Sequence, residues 1–182
     1  MFIYVIIGLV VIVLLWLLMT YNGLVTLRNR VREAWSEIDV QLKRRSSLIP
    51  NLVETVKAYA KHEKSVFTEV TKARTALMGA NNLADKAKAN DQLSGALKSL
   101  FAVAEAYPDL KASDNFKELQ GEISDTETKV AASRQFYNTQ VLDLNTSLET
   151  FPTNLMGTQF GFQKEEFFKA TDEEKADVKI KF

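Results

Sequence analysis

Cysteine is absent from this chain of 182 residues, and with it go disulfides, thiolate metal sites and cysteine nucleophiles. Histidine is nearly absent too: His62 stands alone. A Ser/His/Asp triad would have to use it, yet no Gly-x-Ser-x-Gly turn presents a nucleophile. His62-Glu63 opens a metalloprotease-like helix motif, but Val66 occupies the place of the second ligand. A di-iron bundle needs a Glu-x-x-His on each of two helices and cannot be built from one histidine. Glycine (7) and proline (3) are too scarce for the turns of a many-stranded fold, and no Gly-rich phosphate loop is present. An excess of either charge is missing as well. Lys+Arg at 23 balance Asp+Glu at 23, so no global field gathers nucleic acid. Neither an enzyme nor a nucleic-acid binder is expected, and no residue is assigned to catalysis, cofactor binding or metal ligation.

What the sequence does have begins at its N-terminus. Phe2 to Met19 is a run of eighteen residues without a charge or an amide, about 27 Å of helix. With Thr20 and Tyr21 it matches a hydrocarbon core of roughly 30 Å. No Lys or Arg precedes the run, and Met19-Thr20-Tyr21-Asn22 offers no small-x-small cleavage site, so it reads as an anchor rather than a cleaved signal. Tyr4, Trp16 and Tyr21 suit the two interfacial belts. Arg28, Arg30 and Arg32 follow the span, and by the positive-inside rule they place the N-terminus outside and the body in the cytoplasm.

Apolar residues then recur at a 3-4 spacing through Leu24, Val31, Trp35, Ile38, Leu42 and Ile49, with only Arg28 and Arg45 breaking the seam. The predicted fold class is all-α: a transmembrane helix that continues into an elongated, antiparallel, coiled-coil-like four-helix bundle. Residues 1–21 form the anchor, 22–152 the bundle and 153–182 a C-terminal tail. Lys43-Arg44-Arg45 followed by Ser46, Ser47 and Pro50 predicts a helix end and a hairpin, since bases suit a C-terminal dipole and proline a first turn. Helices are expected over about 22–47, 50–78, 90–107 and 115–151. Pro108 should stop the third near Tyr107. On the fourth, Phe116, Ile123, Val130, Tyr137, Leu144 and Phe151 recur every seven residues. Its companion positions fall three later up to Ser133 but four later at Val141 and Leu148, a shift that locally unwinds a supercoil. Glu118, Glu122, Asp125 and Glu127 read as a solvated face, and Asn145-Thr146-Ser147 as a chance glycosylation triplet. The tail carries Phe160, Phe162, Phe167 and Phe168 ahead of a solvated charge run.

Three ordered stretches carry a family resemblance: Tyr21-Asn22-Gly23-Leu24-Val25; Arg44 to Val53 with Thr55-Val56-Lys57 and His62-Glu63; and Leu100 to Leu110 followed by Asn115-Phe116. With Arg134 to Asn138, Phe151-Pro152 and Gly161-Phe162, the chain resembles the LemA family over nearly its whole length. Ser46 and Ser47 depart from the acidic residue usual after the double arginine. The resemblance implies a bacterial membrane-anchored protein with an extended helical body, seated single-pass in the cytoplasmic membrane, and it supplies no reaction. The function expected is a membrane-anchored scaffold or adaptor working through protein–protein contacts or self-assembly. The alternative is membrane remodelling by amphipathic helices. Expected partners are the lipid bilayer, membrane proteins and copies of the chain itself.

Overall fold

The structure is a computed structural model that describes residues 1–168; the charge run expected beyond Phe168 lies outside it. Six helices follow one another without a strand among the described residues: α1 (Phe2–Tyr59), α2 (Lys64–Gly79), α3 (Leu83–Glu105), α4 (Pro108–Ala112), α5 (Asp114–Glu149) and α6 (Thr153–Gln159). The all-α expectation holds. The backbone divides into two compact units, one of Met1–Glu37 with Arg134–Phe167, the other of Ile38–Ser133 with Phe168.

The expected hairpin at residues 46–50 is not there. α1 runs on through Pro50 to Tyr59, and the chain turns instead at residues 60–63. A proline inside a helix deletes one hydrogen bond, here the one from residue 50 to the carbonyl of Ser46. That carbonyl finds another donor: Arg74 Nε of α2 reaches it at 3.0 Å. The helix therefore survives its proline because a neighbouring helix replaces the missing donor. Residues 50–59, expected in the second helix, end the first one, and α2 starts only at Lys64.

In the unit of Ile38–Ser133, the seam of α1 continues past the proline. Ile49, Leu52, Val53 and Val56 are all buried, as are Phe67, Val70, Ala73 and Leu77 on α2. Each buried aliphatic side chain contributes about 1.5–3 kcal/mol, so the continuous stripe outweighs the helix-breaking tendency of one proline, roughly 3 kcal/mol. Gly79 to Asn82 breaks the chain as expected, and Asn82 caps α3 by accepting from the Asp85 amide at 2.8 Å. Residues 83–89, which lie between the expected second and third helices, belong to α3, which therefore starts earlier than the expected residue 90 and stops at Glu105. Tyr107 is extended (φ −119°, ψ 94°), the conformation that Pro108 imposes on the residue before it. Pro108 then opens the one-turn helix α4, which the sequence pattern gave no reason to expect.

In the other unit, α1 up to Glu37 is grouped with the C-terminal part of α5, α6 and the chain up to Phe167, and residues 2–16 of its apolar run are exposed. Leu24, Val31 and Ala34 are buried on α1, and Tyr137, Val141 and Leu144 on α5. The phase shift after Tyr137 widens the buried face of α5, so that Gln140 beside Val141 and Asn145 beside Leu144 are buried together. α6 lies within the expected tail. It ends in a Schellman turn: Gly161 is left-handed (φ +70°) and the Phe162 amide donates to the Gly157 carbonyl at 2.9 Å. A Cβ at Gly157 would lie 2.6 Å from Leu148 Cδ2, so the Leu148 side chain would have to shift to admit one.

Candidate functional site

The two arginines that interrupt the α1 seam have different fates. Arg28 lies partly buried in the N-terminal unit with its guanidinium 5.0 Å from the centre of the Phe162 ring, a cation–π pairing. Arg45, in the other unit, is 1% exposed. Its Nη1 donates to Asn90 Oδ1 at 2.7 Å and to Ser94 Oγ at 3.0 Å, both on α3, and its Nη2 lies 3.5 Å from Glu127 Oε2 on α5. Burial pulls the guanidinium below its ordinary range, opposed by the charges of Glu127 and Asp91. Arginine titrates far above physiological pH, so the group stays charged. Arg45 Nε and the neighbouring Ser46 Oγ are buried without a hydrogen-bonding partner among the described residues. The basic trio of residues 43–45, expected to end a helix, instead continues α1 with one of its members in the core. Arg44 remains outside, paired with Glu122 at 2.9 Å.

The polar residues of α5 divide likewise. Thr126 is fully buried and returns its hydroxyl to the Ile123 carbonyl at 2.8 Å. The acidic stretch is solvated as expected: Asp125 pairs with Lys129 at 2.7 Å, a hydrogen bond that holds its carboxyl below the usual range. Asn145 is no sugar acceptor in this fold. Its amide donates to the Glu165 carbonyl at 2.9 Å and its carbonyl accepts the Glu165 amide at 3.0 Å. Tyr137 adds a third tie to the same strand of chain, donating its hydroxyl to the Glu166 carbonyl at 3.0 Å. Burial, and then the charges of Glu165 and Glu166, raise the Tyr137 phenol above its ordinary value.

In the unit Ile38–Ser133 a cleft of about 600 Å³ opens at the turn joining α1 to α2, lined by Lys57, Lys61, Lys64, Phe67, Thr68, Thr71 and Lys72. Its construction follows from helix periodicity. Lys64, Thr68, Thr71 and Lys72 fall on one stripe of α2, while Lys57 lies in the last turn of α1 and Lys61 in the turn between the two helices. Phe67 forms an apolar floor, its ring 5.6 Å from Lys57 Nζ. The threonine hydroxyls turn back onto the helix, Thr68 to the Lys64 carbonyl and Thr71 to the Phe67 carbonyl. None of the four lysines forms an ion pair with another described residue. His62 is exposed in the turn itself. Among the described residues no group of three or more His, Cys, Asp or Glu side chains is placed to hold a metal ion.

The sequence reading singled out none of these lysines. The signal was there in the spacing 57, 61, 64 and 72, which becomes visible once the turn is placed after residue 59 instead of before residue 50.

The chain is 26% identical to the magnetosome protein MamQ 1 of Paramagnetospirillum magneticum, over 84% of this chain and 66% of that one. It is 25% identical to the magnetosome protein MamQ of Magnetospirillum gryphiswaldense, over 84% and 65%. It thus spans just under two thirds of the length of these relatives. It is also 29% identical to the protein LemA of Metamycoplasma hominis, over 86% of this chain and 72% of that one. The LemA family model matches residues 34–182. With that match, an all-helical fold among the described residues and an apolar N-terminal helix long enough to cross a membrane, the chain belongs to the LemA family.

Proposed function

We propose that this chain is a membrane-anchored adaptor that captures acidic segments of other proteins in the lysine-lined cleft between α1 and α2. The observation that carries this reading is the cleft itself: four lysines without ion pairs surround one aromatic floor, in a chain whose total charge is balanced. A local surplus of one sign steers an oppositely charged partner and sets its register, while the apolar floor supplies burial. A short acidic segment carrying one aromatic side chain fits both demands. The anchor is the span Phe2–Met19. It is seated in the bacterial cytoplasmic membrane with the body inside, a direction supported by Arg28, Arg30 and Arg32 after the span. The adaptor works without catalysis.

The test uses full-length protein in nanodiscs of uncharged lipid and a fluorescent peptide rich in Asp and Glu with one Trp. Anisotropy should report binding that weakens as salt is raised, and Lys61→Glu/Lys64→Glu/Lys72→Glu should weaken it at least about tenfold. Equal binding by the triple variant sinks the assignment. If the wild type ignores the peptide but tubulates anionic vesicles through the same lysines, membrane remodelling replaces the adaptor reading.

A further inference from the structure

A charge-free stretch interrupts the C-terminal part of the chain. From Thr150 to Gln163 no Asp, Glu, Lys or Arg occurs, although such residues make up 25% of the protein. The residues that bound this stretch, Glu149 and Lys164, pair with each other at 2.7 Å and so close its base. Inside it, α6 turns Met156 inward while Phe151, Leu155 and Phe160 stay 74%, 61% and 53% exposed. Three large apolar side chains left in water on one short segment mark a surface meant for something apolar.

The same unit shows what that is. Tyr21 follows the apolar run of α1 by two residues, and its ring meets Phe160 edge-on at 5.4 Å and Phe162 at 5.8 Å. Phe160 is therefore at the level where α1 leaves the hydrocarbon. Aromatic rings are favoured at that boundary. A segment without charges, carrying outward apolar side chains, gains by lying in it.

We infer that residues 150–163 form a second, peripheral membrane contact, with Phe151, Leu155 and Phe160 seated in the interfacial zone of the bilayer that holds α1. This rests on the reading of Phe2–Met19 as a membrane span. The contact is apolar, so it does not require anionic lipid and does not weaken in salt. The Schellman turn at Gly161 sets the path of the chain out of the segment.

The experiment uses full-length protein in liposomes and single-tryptophan variants. Trp35→Phe leaves native Trp16 as a reporter of the span. Trp16→Phe/Trp35→Phe with Phe160→Trp, or with Leu155→Trp as a second position, reports the segment. Phospholipids spin-labelled near the headgroup should quench the new tryptophans at least about twofold more than phospholipids labelled at the chain end. Iodide should reach them poorly. Quenching by iodide but not by labelled lipid at both positions overturns the proposal, provided Trp16 is quenched by lipid. Protection from both quenchers overturns it in favour of cover by another protein or a second copy. If Trp16 itself escapes labelled lipid, the span reading fails and the proposal with it.

Discussion

Arg45 is the residue whose chemistry and position conflict most. A guanidinium in the core costs several kcal/mol to desolvate unless its donors are met. Here Asn90 and Ser94 meet one nitrogen, while the Glu127 carboxylate stays in water, its side chain 57% exposed. The ion pair is therefore worth little, and the hydrogen bonds and buried stem carry the interaction. Arg45→Ala should destabilise the fold by about 3 kcal/mol, whereas Glu127→Gln should cost under about 1 kcal/mol; urea melts followed by circular dichroism check both. Arg45→Met should recover part of the loss, because it refills the volume but leaves the Asn90 carbonyl unmet. The seam position of Arg45 was legible in the sequence, since the 3-4 pattern passes through it. Its partners were not. They come from α3, 45 and 49 residues away, and nothing local in Asn90 or Ser94 distinguishes a core acceptor set from a solvated one.

At the scale of elements, α1 shows where local rules lose to tertiary ones. Bases, two serines and a proline spell a helix end, yet the apolar stripe runs through them in unbroken register, and a true hairpin would have shifted that register. The stripe was the stronger signal. The rescue by Arg74 could not be read, because one arginine on α2 looks like any other. It makes a coupled prediction. Arg74→Ala should cost about 1 kcal/mol in the native chain and clearly less in a Pro50→Ala background, where the Ser46 carbonyl recovers a helical donor. A double-mutant cycle measures the difference, and equal costs in both backgrounds would refute the account. The long helix α5 was the most legible element. Its seven-residue recurrence appears as burial from Phe116 to Leu144 but not at Phe151, which lies beyond the helix and is exposed, and the phase shift at Tyr137 explains why polar Gln140 and Asn145 share the buried face.

For the molecule as a whole, family, fold class and apolar N-terminal helix could be read from sequence, while the lysine cleft and the tied-down C-terminal segment needed coordinates. That segment carries a pH signature. The Tyr137 phenol is raised in the folded protein, so the folded state holds this proton more tightly than the unfolded chain does. Its contribution is intact below about pH 10 and is lost as pH rises beyond that, when ionisation removes the donor to Glu166. Melting temperature followed from pH 8 to 11 (about the range of an ordinary tyrosine) should fall more steeply for the native chain than for Tyr137→Phe. The variant should start about 1 kcal/mol less stable.

Asn145 gives this attachment a further property. It grips Glu165 by the main-chain amide and carbonyl alone, groups that every residue but proline possesses. The grip is blind to side chains. Position 165 can drift in sequence without loosening the clasp, whereas Asn145 and the backbone path it reads have no such freedom.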